Sequence, residues 1–199
     1  MEKPARTHAG ATYQDVLDAP EHLVAELVGG ELQTSPRPAI PHASASSELG
    51  AELLMAFGRG RGGPGGWWIL DEPELHLGED VLVPDVAGWR RERLPAMPRT
   101  GHLSLAPDWV CEVSSPSTHR FDRLVKMPVY LREQVGFVWL VDPMARYIEA
   151  FQLSPASLIS GVEGHTWSLC GRWGDETQAR IPPFDAVALD VTAWWLAEE

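Results

Sequence analysis

Apolar residues that recur three and four positions apart predict two long helices in this chain. The first covers residues 44–57, where Leu49, Leu53 and Phe57 share one face. The second follows the Ser-Pro pair at residues 115–116 and runs to about residue 134. Two shorter helices are predicted near the ends of the chain, over residues 12–17 and 190–197.

Short apolar runs bounded by turn residues predict the strands. Gly29 and Gly30 allow the positive φ angles of a tight turn, so they predict a hairpin between residues 22–28 and 31–34. Further strands are predicted over residues 67–71, 74–77, 81–89, 108–114, 137–141 and 147–153, with a weaker edge strand at 166–170. The Pro-rich segment 36–41 predicts an extended connector, and residues 90–106 predict a polar loop. The order predicts an α/β fold, a mixed sheet with helices on its faces.

Length and composition favour one globular domain over residues 1–199, with residues 1–11 as a loose tail. The 199 residues are 44% hydrophobic, enough to form a core without disulfides or metals. No apolar run approaches the roughly 18 residues of a membrane span, and the amino terminus does not resemble a secretory signal. Two cysteines exclude a disulfide framework. We therefore expect a cytoplasmic protein without membrane contact.

The net charge of −12 excludes a broad basic surface. Residues 90–133 nevertheless contain eight basic and five acidic residues, so this window carries +3 and the remainder −15. The window predicts either a local basic surface or a set of solvated arginines. The chain has 14 arginines and two lysines, and Lys126 is the lysine outside the amino-terminal tail. Either this position needs the compact ammonium group of lysine, or the lysine occurs there by chance.

Two acidic residues occupy strand positions that otherwise hold apolar side chains. Asp85 lies in the run VLVPDVAGW, and Glu112 lies in DWVCEVS on the same face as Val110 and Ser114. A buried carboxylate is costly unless it is paired or binds a metal. Either each acid lies at a strand end and meets solvent or a backbone amide, or both converge on one divalent ion. Hard oxygen ligands with room for water suit Mg²⁺ or Mn²⁺.

Lys126 lies in the helix that follows the strand of Glu112. Asp122 precedes it by four residues, so the two side chains share a helix face and could form a surface ion pair. If that face leans over the end of the sheet, the ammonium approaches the two carboxylates and could stabilise charge on a phosphate. Pro128 should perturb this helix.

Three blocks of sequence resemble a family of bacterial putative endonucleases within the PD-(D/E)XK, or restriction endonuclease-like, superfamily. The blocks are AELVGGEL followed by SPRPAIPH, then VPDVAGW, and then DWVCEVSSPSTHRFDRLVKMPVYLREQVGFVWLVDP. The match runs over about residues 12–153. The resemblance implies a restriction endonuclease-like core with an amino-terminal hairpin and flanking helices.

The resemblance also implies roles for individual residues. Asp85 matches the aspartate of the Pro-Asp half-motif and Glu112 the acid of the second half-motif. Ser114 stands where the lysine of Glu-x-Lys would be, and Lys126 resembles the lysine that has migrated to the following helix. The carboxylates and the carbonyl of Val113 would hold Mg²⁺ or Mn²⁺. Three further positions are weaker candidates for the same site: Glu26, which would be catalytic through its place in the family hairpin, His42 and Asp122.

The resulting hypothesis is a metal-dependent endonuclease that hydrolyses DNA, acting as a homodimer. Four arginines would contact the phosphate backbone: Arg90, Arg91, Arg120 and Arg123. The main alternative is a non-enzymatic module that binds nucleic acid or protein and retains the nuclease fold. A serine hydrolase built on Ser114, Ser115 and Ser117 is disfavoured, because the chain lacks a Gly-x-Ser-x-Gly nucleophile turn.

Overall fold

The computed structural model describes residues 10–157 and 163–197, which form ten strands and short helices. The strands are β1 (Leu23–Val28), β2 (Glu31–Pro36), β3 (Trp67–Asp71), β4 (Leu75–Leu77), β5 (Asp80–Leu82), β6 (Val86–Arg90), β7 (Trp109–Val113), β8 (Phe137–Asp142), β9 (Tyr147–Ser157) and β10 (Glu163–Trp173). The α-helices are α1 (Tyr13–Leu17), α2 (Ile40–Leu53), α3 (His119–Phe121) and α4 (Met127–Arg132). A π-helical turn, Leu54–Gly58, extends α2, a second, Asp122–Lys126, joins α3 to α4, and a 3₁₀ turn covers Val191–Trp194.

The strands form two sheets. The larger has the order β10-β9-β8-β7-β6-β3, and its only parallel pair among the described strands is β7 with β8. Helices α3 and α4 make the crossover between those two strands, as a parallel connection requires. The smaller sheet is antiparallel, with the order β2-β1-β5-β4. This mixed α and β architecture confirms the predicted fold class.

The hairpin prediction is confirmed by β1 and β2. Gly29 and Gly30 have φ angles of +60° and +75° between the paired residues Val28 and Glu31. Both angles lie in the left-handed region that a two-residue hairpin turn needs and that glycine adopts at little cost.

The prediction of one strand over residues 81–89 is wrong. The chain leaves the smaller sheet after Leu82 and enters the larger sheet at Val86. Pro84 lies in the break, where its missing N–H and fixed φ prevent continued pairing. The apolar run therefore contributes one strand to each sheet. Asp85 lies in the bend between these strands and not within a strand.

Helix boundaries also differ from the predictions. Helix α2 begins at Ile40, because Pro41 is tolerated in a first turn, whose N–H groups need no partner within the helix. The helix predicted at residues 190–197 is a 3₁₀ turn of four residues. The predicted perturbation near Pro128 is a π-helical turn that ends at Lys126. Of the predicted tail, residues 1–9 lie outside the described residues, while Ala11 donates a backbone hydrogen bond to Gly30.

Both faces of the larger sheet are covered. Helix α2 and the carboxy-terminal segment 174–195 cover one face, while α4 and the smaller sheet cover the other. Segment 174–195 has almost no regular structure, yet it contributes a set of buried apolar side chains: Ala179, Ile181, Phe184, Leu189, Val191, Trp194 and Trp195. No helix within 10–157 or 163–197 combines the length and apolar character needed to cross a bilayer.

Substitution of Phe184 tests whether segment 174–195 is part of the hydrophobic core. The Phe184 ring is fully buried, with centroids 4.7–5.5 Å from the rings of Phe57, Trp67, Trp109 and Trp139. Phe184→Ala should lower the free energy of unfolding by about 3–5 kcal/mol, because it removes an aromatic side chain from a packed core. Urea denaturation of the two proteins measures the difference.

The matched control for Phe184→Ala is Leu169→Ala, since Leu169 is 57% exposed. Its substitution should change the free energy of unfolding by no more than about 0.5 kcal/mol. Equal effects of the two variants would contradict the assignment of segment 174–195 to the core.

Candidate active site

The ammonium of Lys126 is surrounded by carboxylates at the junction of the two sheets. Its Nζ lies 2.9 Å from Glu26 Oε1, 3.0 Å from Glu112 Oε2 and 4.0 Å from Asp122 Oδ1. The lysine side chain is only 6% exposed. We call these four residues the Lys126 cluster. Buried charges of this kind are tolerated only when they are paired and hydrogen-bonded.

The members of the Lys126 cluster come from three parts of the fold. Glu26 lies on β1 of the smaller sheet and Glu112 on β7 of the larger sheet, while Asp122 and Lys126 lie on the π-helical turn. The bend between the sheets contributes its backbone, because Val83 donates its N–H to Glu26 Oε1 at 2.8 Å and accepts from Lys126 Nζ at 3.3 Å. The cluster therefore connects both sheets and the crossover helix.

Asp85, immediately before the first residue of β6, adjoins the Lys126 cluster. Val86 pairs with Cys111, so Asp85, one residue earlier, faces Glu112 one step beyond the ladder. Asp85 Oδ2 accepts the N–H of Val113 at 2.7 Å, and Oδ1 lies 2.7 Å from His42 Nε2 on α2. The side chains of His42 and Asp85 are 12% and 18% exposed. This edge is more open to solvent than the cluster itself.

Two further side chains complete the hydrogen bonds of the cluster. The Tyr130 hydroxyl donates to Glu112 Oε1 at 2.5 Å, so Glu112 has a partner on each oxygen. The Ser114 hydroxyl donates to Asp122 Oδ2 at 3.4 Å. The sequence motifs did not single out Tyr130. The available signal was its position four residues after Lys126, which places both side chains on one helix face.

The cluster carries more negative than positive charge, and the pKa values reflect it. Burial raises the pKa of Glu112 well above its usual range; Lys126 opposes the shift, and Asp122, Asp85 and Glu26 add to it. Burial and the neighbouring acids raise the pKa of Asp122 to about 6. Burial alone would lower the pKa of Lys126, but the carboxylates raise it above its usual value, so the ammonium stays charged.

The predicted arginines differ in their environments. Arg91 donates to the carbonyls of Trp67 and Gly58 at 3.1 and 2.9 Å, and Arg123 forms an ion pair with Glu149. Both side chains are therefore engaged by the fold. Arg90 lies over the Trp67 ring, 4.6 Å from its centroid, and is half-buried, whereas Arg120 is exposed. Sequence spacing could not separate these cases, because every partner is distant along the chain.

The arrangement combines oxygen ligands with one fixed cation. Asp85, Glu112 and the Val113 backbone lie together at the junction, and Glu26, His42, Ser114 and Asp122 are joined to them by the contacts above. Carboxylate and carbonyl oxygens are the donors that Mg²⁺ and Mn²⁺ prefer, and an excess of buried negative charge favours a further cation. The donor set therefore fits a divalent ion.

Comparisons with known proteins agree with this fold. The family model described as Uma2, putative restriction endonuclease, matches residues 11–170, a longer stretch than the sequence resemblance covered. A crystal structure of a putative nuclease belonging to DUF820 from Anabaena variabilis ATCC 29413 is similar, with a TM-score of 0.67. The two sequences are 19% identical, and the alignment covers 93% of this chain and 97% of that one. No curated protein matches the chain.

The matched segment contains the Lys126 cluster together with Asp85 and His42. The resemblance expected from the sequence is thus confirmed, and the fold is that of a restriction endonuclease-like nuclease. With most of its length matched by the family model, the chain belongs to the Uma2 family of putative restriction endonucleases.

Proposed function

We propose that the protein is a metal-dependent endonuclease that hydrolyses phosphodiester bonds in DNA. The observation that carries the proposal is the buried contact between Lys126 and Glu112, 3.0 Å apart, beside Asp85. A fold has no need to bury several carboxylates with one lysine for stability alone, since apolar residues of similar volume pack as well or better. Strongly perturbed acids gathered at one place are typical of catalytic sites.

Asp85, Glu112 and the carbonyl of Val113 would hold the divalent ion, Mg²⁺ or Mn²⁺. When bound, the ion supplies Lewis-acid stabilisation of the charge that develops on the phosphate. The N–H of Val113, which donates to Asp85 at 2.7 Å, fixes that carboxylate relative to β7. The two acids are therefore oriented by the strand pairing before any ligand arrives.

Lys126 would hold the attacking water and neutralise charge on the phosphate. Its ammonium is positioned by Glu26 and Glu112, and those contacts keep it protonated over the physiological pH range. Such preorganised charge lowers the activation barrier because no reorientation is needed during the reaction. His42 would orient Asp85 through their 2.7 Å contact, and Tyr130 would orient Glu112.

The wider assignment follows from the family. The Uma2 family is described as putative restriction endonucleases and the Anabaena protein as a putative nuclease. The family description supports DNA as the substrate class. We expect a homodimer, because two sites related by a two-fold axis can cut both strands. We place the activity in the cytoplasm, where DNA and Mg²⁺ are available.

Metal binding and catalysis should both depend on Glu112. Glu112→Gln should remove the rise in melting temperature that Mg²⁺ or Mn²⁺ produces in the wild type. It should also reduce the rate of DNA cleavage at least roughly 100-fold, the usual effect of removing a main electrostatic stabiliser. Thermal melts and a plasmid-nicking assay with Mn²⁺ measure the two effects.

Two further variants complete that experiment. Glu79→Gln, at an exposed position, is the control and should match the wild type. Lys126→Ala should lose cleavage. Cleavage that survives both Glu112→Gln and Lys126→Ala would contradict the proposal, and binding of DNA without cleavage by the wild type would favour the non-enzymatic alternative.

Substitution of Asp122 tests how much the burial of this carboxylate lowers the free energy of unfolding. Its pKa is raised from 3.8 to about 6, so the folded state binds a proton more tightly than the unfolded state. Stability is therefore lost as the pH rises from about 4 through 6. Asp122→Asn should be more stable than the wild type at pH 8, by about 3 kcal/mol, and most of that difference should be gone near pH 4. Urea denaturation at both pH values measures it.

The control for Asp122→Asn is Asp175→Asn, at an exposed position. It should change the free energy of unfolding by less than about 0.5 kcal/mol at either pH. An Asp122→Asn protein that is destabilised equally at both pH values would show that Asp122 acts through its hydrogen bonds and not through its charge.

DNA binding should depend on the arginines that the fold leaves available. Two such side chains, Arg90 and Arg120, predict a slope of about −2 for log affinity against log salt. Arg120→Ala should bring that slope closer to zero by about 0.9. Arg61→Ala, at an exposed position in the glycine-rich loop, is the control. Fluorescence anisotropy over a salt series measures the slope, and equal slopes for Arg120→Ala and the wild type would exclude Arg120 from the interface.

A further inference from the structure

A second group of metal-ligating side chains lies outside the Lys126 cluster. Glu74, His76 and His102 each offer one ligand atom, and these atoms all lie within 4.8 Å of one another. His76 Nε2 is 2.7 Å from Glu74 Oε1, and the rings of His76 and His102 stack with centroids 3.8 Å apart. All three residues are half-buried. We call them the His76 triad.

Backbone pairing brings the triad together. Leu75 and Leu103 form an isolated parallel bridge, in which His76 donates its N–H to the carbonyl of Leu103 and Leu103 donates to that of Glu74, both at 2.9 Å. The residue before Leu103 is His102, so the bridge holds its side chain beside β4. The triad therefore rests on hydrogen-bonded backbone and not on a chance meeting of surface side chains.

Tyr13 supplies an outer contact to the triad. Its hydroxyl donates to Glu74 Oε1 at 2.8 Å, and its ring packs edge-on against His76 with centroids 4.7 Å apart. A donor that orients a ligating carboxylate is a common feature of protein metal sites.

We propose that the His76 triad binds a borderline divalent transition metal, of which Zn²⁺ is the best match. Two imidazoles and one carboxylate are a ligand set that zinc accepts, with a fourth position left for water. Zinc lies about 2.0–2.2 Å from such ligands, so tetrahedral ligand atoms are about 3.4 Å apart. The ligand atoms of the triad lie within 4.8 Å of one another, and binding would require them to close to that spacing and the stacked rings of His76 and His102 to turn toward one ion. The ion takes the place of the proton between His76 Nε2 and Glu74 Oε1.

The chemistry of the two sites separates them. The Asp85 and Glu112 site offers oxygen atoms beside an ammonium, which suits Mg²⁺ and Mn²⁺. The His76 triad offers two imidazole nitrogens, which Mg²⁺ rarely uses and Zn²⁺ favours. Each site should therefore select its own class of metal, and zinc at the triad does not depend on the proposed nuclease activity.

Zinc at the triad would fix the loop between β6 and β7. That loop follows the strand next to Asp85 and precedes the strand of Glu112, and His102 lies within it. Metal ligation would tie it to β4 of the smaller sheet, adding to the two backbone hydrogen bonds of the Leu103 bridge. We therefore infer that zinc stabilises the segment that joins the two strands at the candidate active site.

Zinc titration against a chromophoric chelator tests the proposal on the full chain. The wild type should bind one equivalent of Zn²⁺ that survives Glu112→Gln. His102→Ala should weaken that binding by more than the roughly 10- to 100-fold that loss of an outer contact costs, whereas Tyr13→Phe should fall within that range. His22→Ala, at an exposed histidine, should bind as the wild type does.

A second readout keeps the test independent of folding defects. Arg99 is exposed within the same loop, so trypsin should cut after it more slowly when Zn²⁺ is present. Protection should occur in the wild type and in Glu112→Gln but not in His102→Ala, whose melting curve in EDTA should match that of the wild type. The proposal is overturned if the wild type binds no zinc, if His102→Ala binds it with unchanged affinity, or if Glu112→Gln abolishes the binding.

Discussion

The attraction between the Lys126 ammonium and its surrounding carboxylates is the interaction on which the candidate site depends. The ammonium contacts Glu26, Glu112 and Asp122, and it opposes the rise in the pKa of Glu112 and of Asp122 that burial causes. The same contacts join β1, β7 and the crossover helix, so the charge arrangement of the cluster and the packing of the two sheets depend on each other. Removing the ammonium should therefore disturb both.

The break at residues 83–85 makes this arrangement possible. It moves the chain from the smaller sheet to the larger one, and its residues bond to both. The Val83 backbone donates to Glu26 and accepts from Lys126, while the Asp85 side chain accepts the N–H of Val113. A continuous strand would place Asp85 in a ladder, with its side chain on a packed face. Pro84 thus has a functional consequence, because it creates the bend in which the carboxylate reaches the end of β7.

The hydrophobic cluster beneath α2 and segment 174–195 offsets the cost of burying the Lys126 cluster. Helix α2 and segment 174–195 bury a continuous set of aromatic and aliphatic side chains, with Phe184 among the rings of Trp67, Trp109 and Trp139. Local patterns did not indicate the role of residues 174–189, because these residues have neither helical nor strand periodicity and their partners are remote in sequence. A functional site that includes a destabilising carboxylate requires such compensation elsewhere in the fold.

Features that depend on neighbouring residues could be predicted from the amino-acid order alone: the hairpin at Gly29 and Gly30, the strand of Glu112, the helix of Lys126, and the motif resemblance that grouped them. The meetings of distant side chains became known from the folded chain. Packing brings Tyr130 to Glu112, Arg91 to backbone carbonyls, and the residues of the His76 triad to one another. The two kinds of feature differ because periodicity reports which face a residue occupies, whereas a contact between distant segments is fixed by how sheets and helices pack.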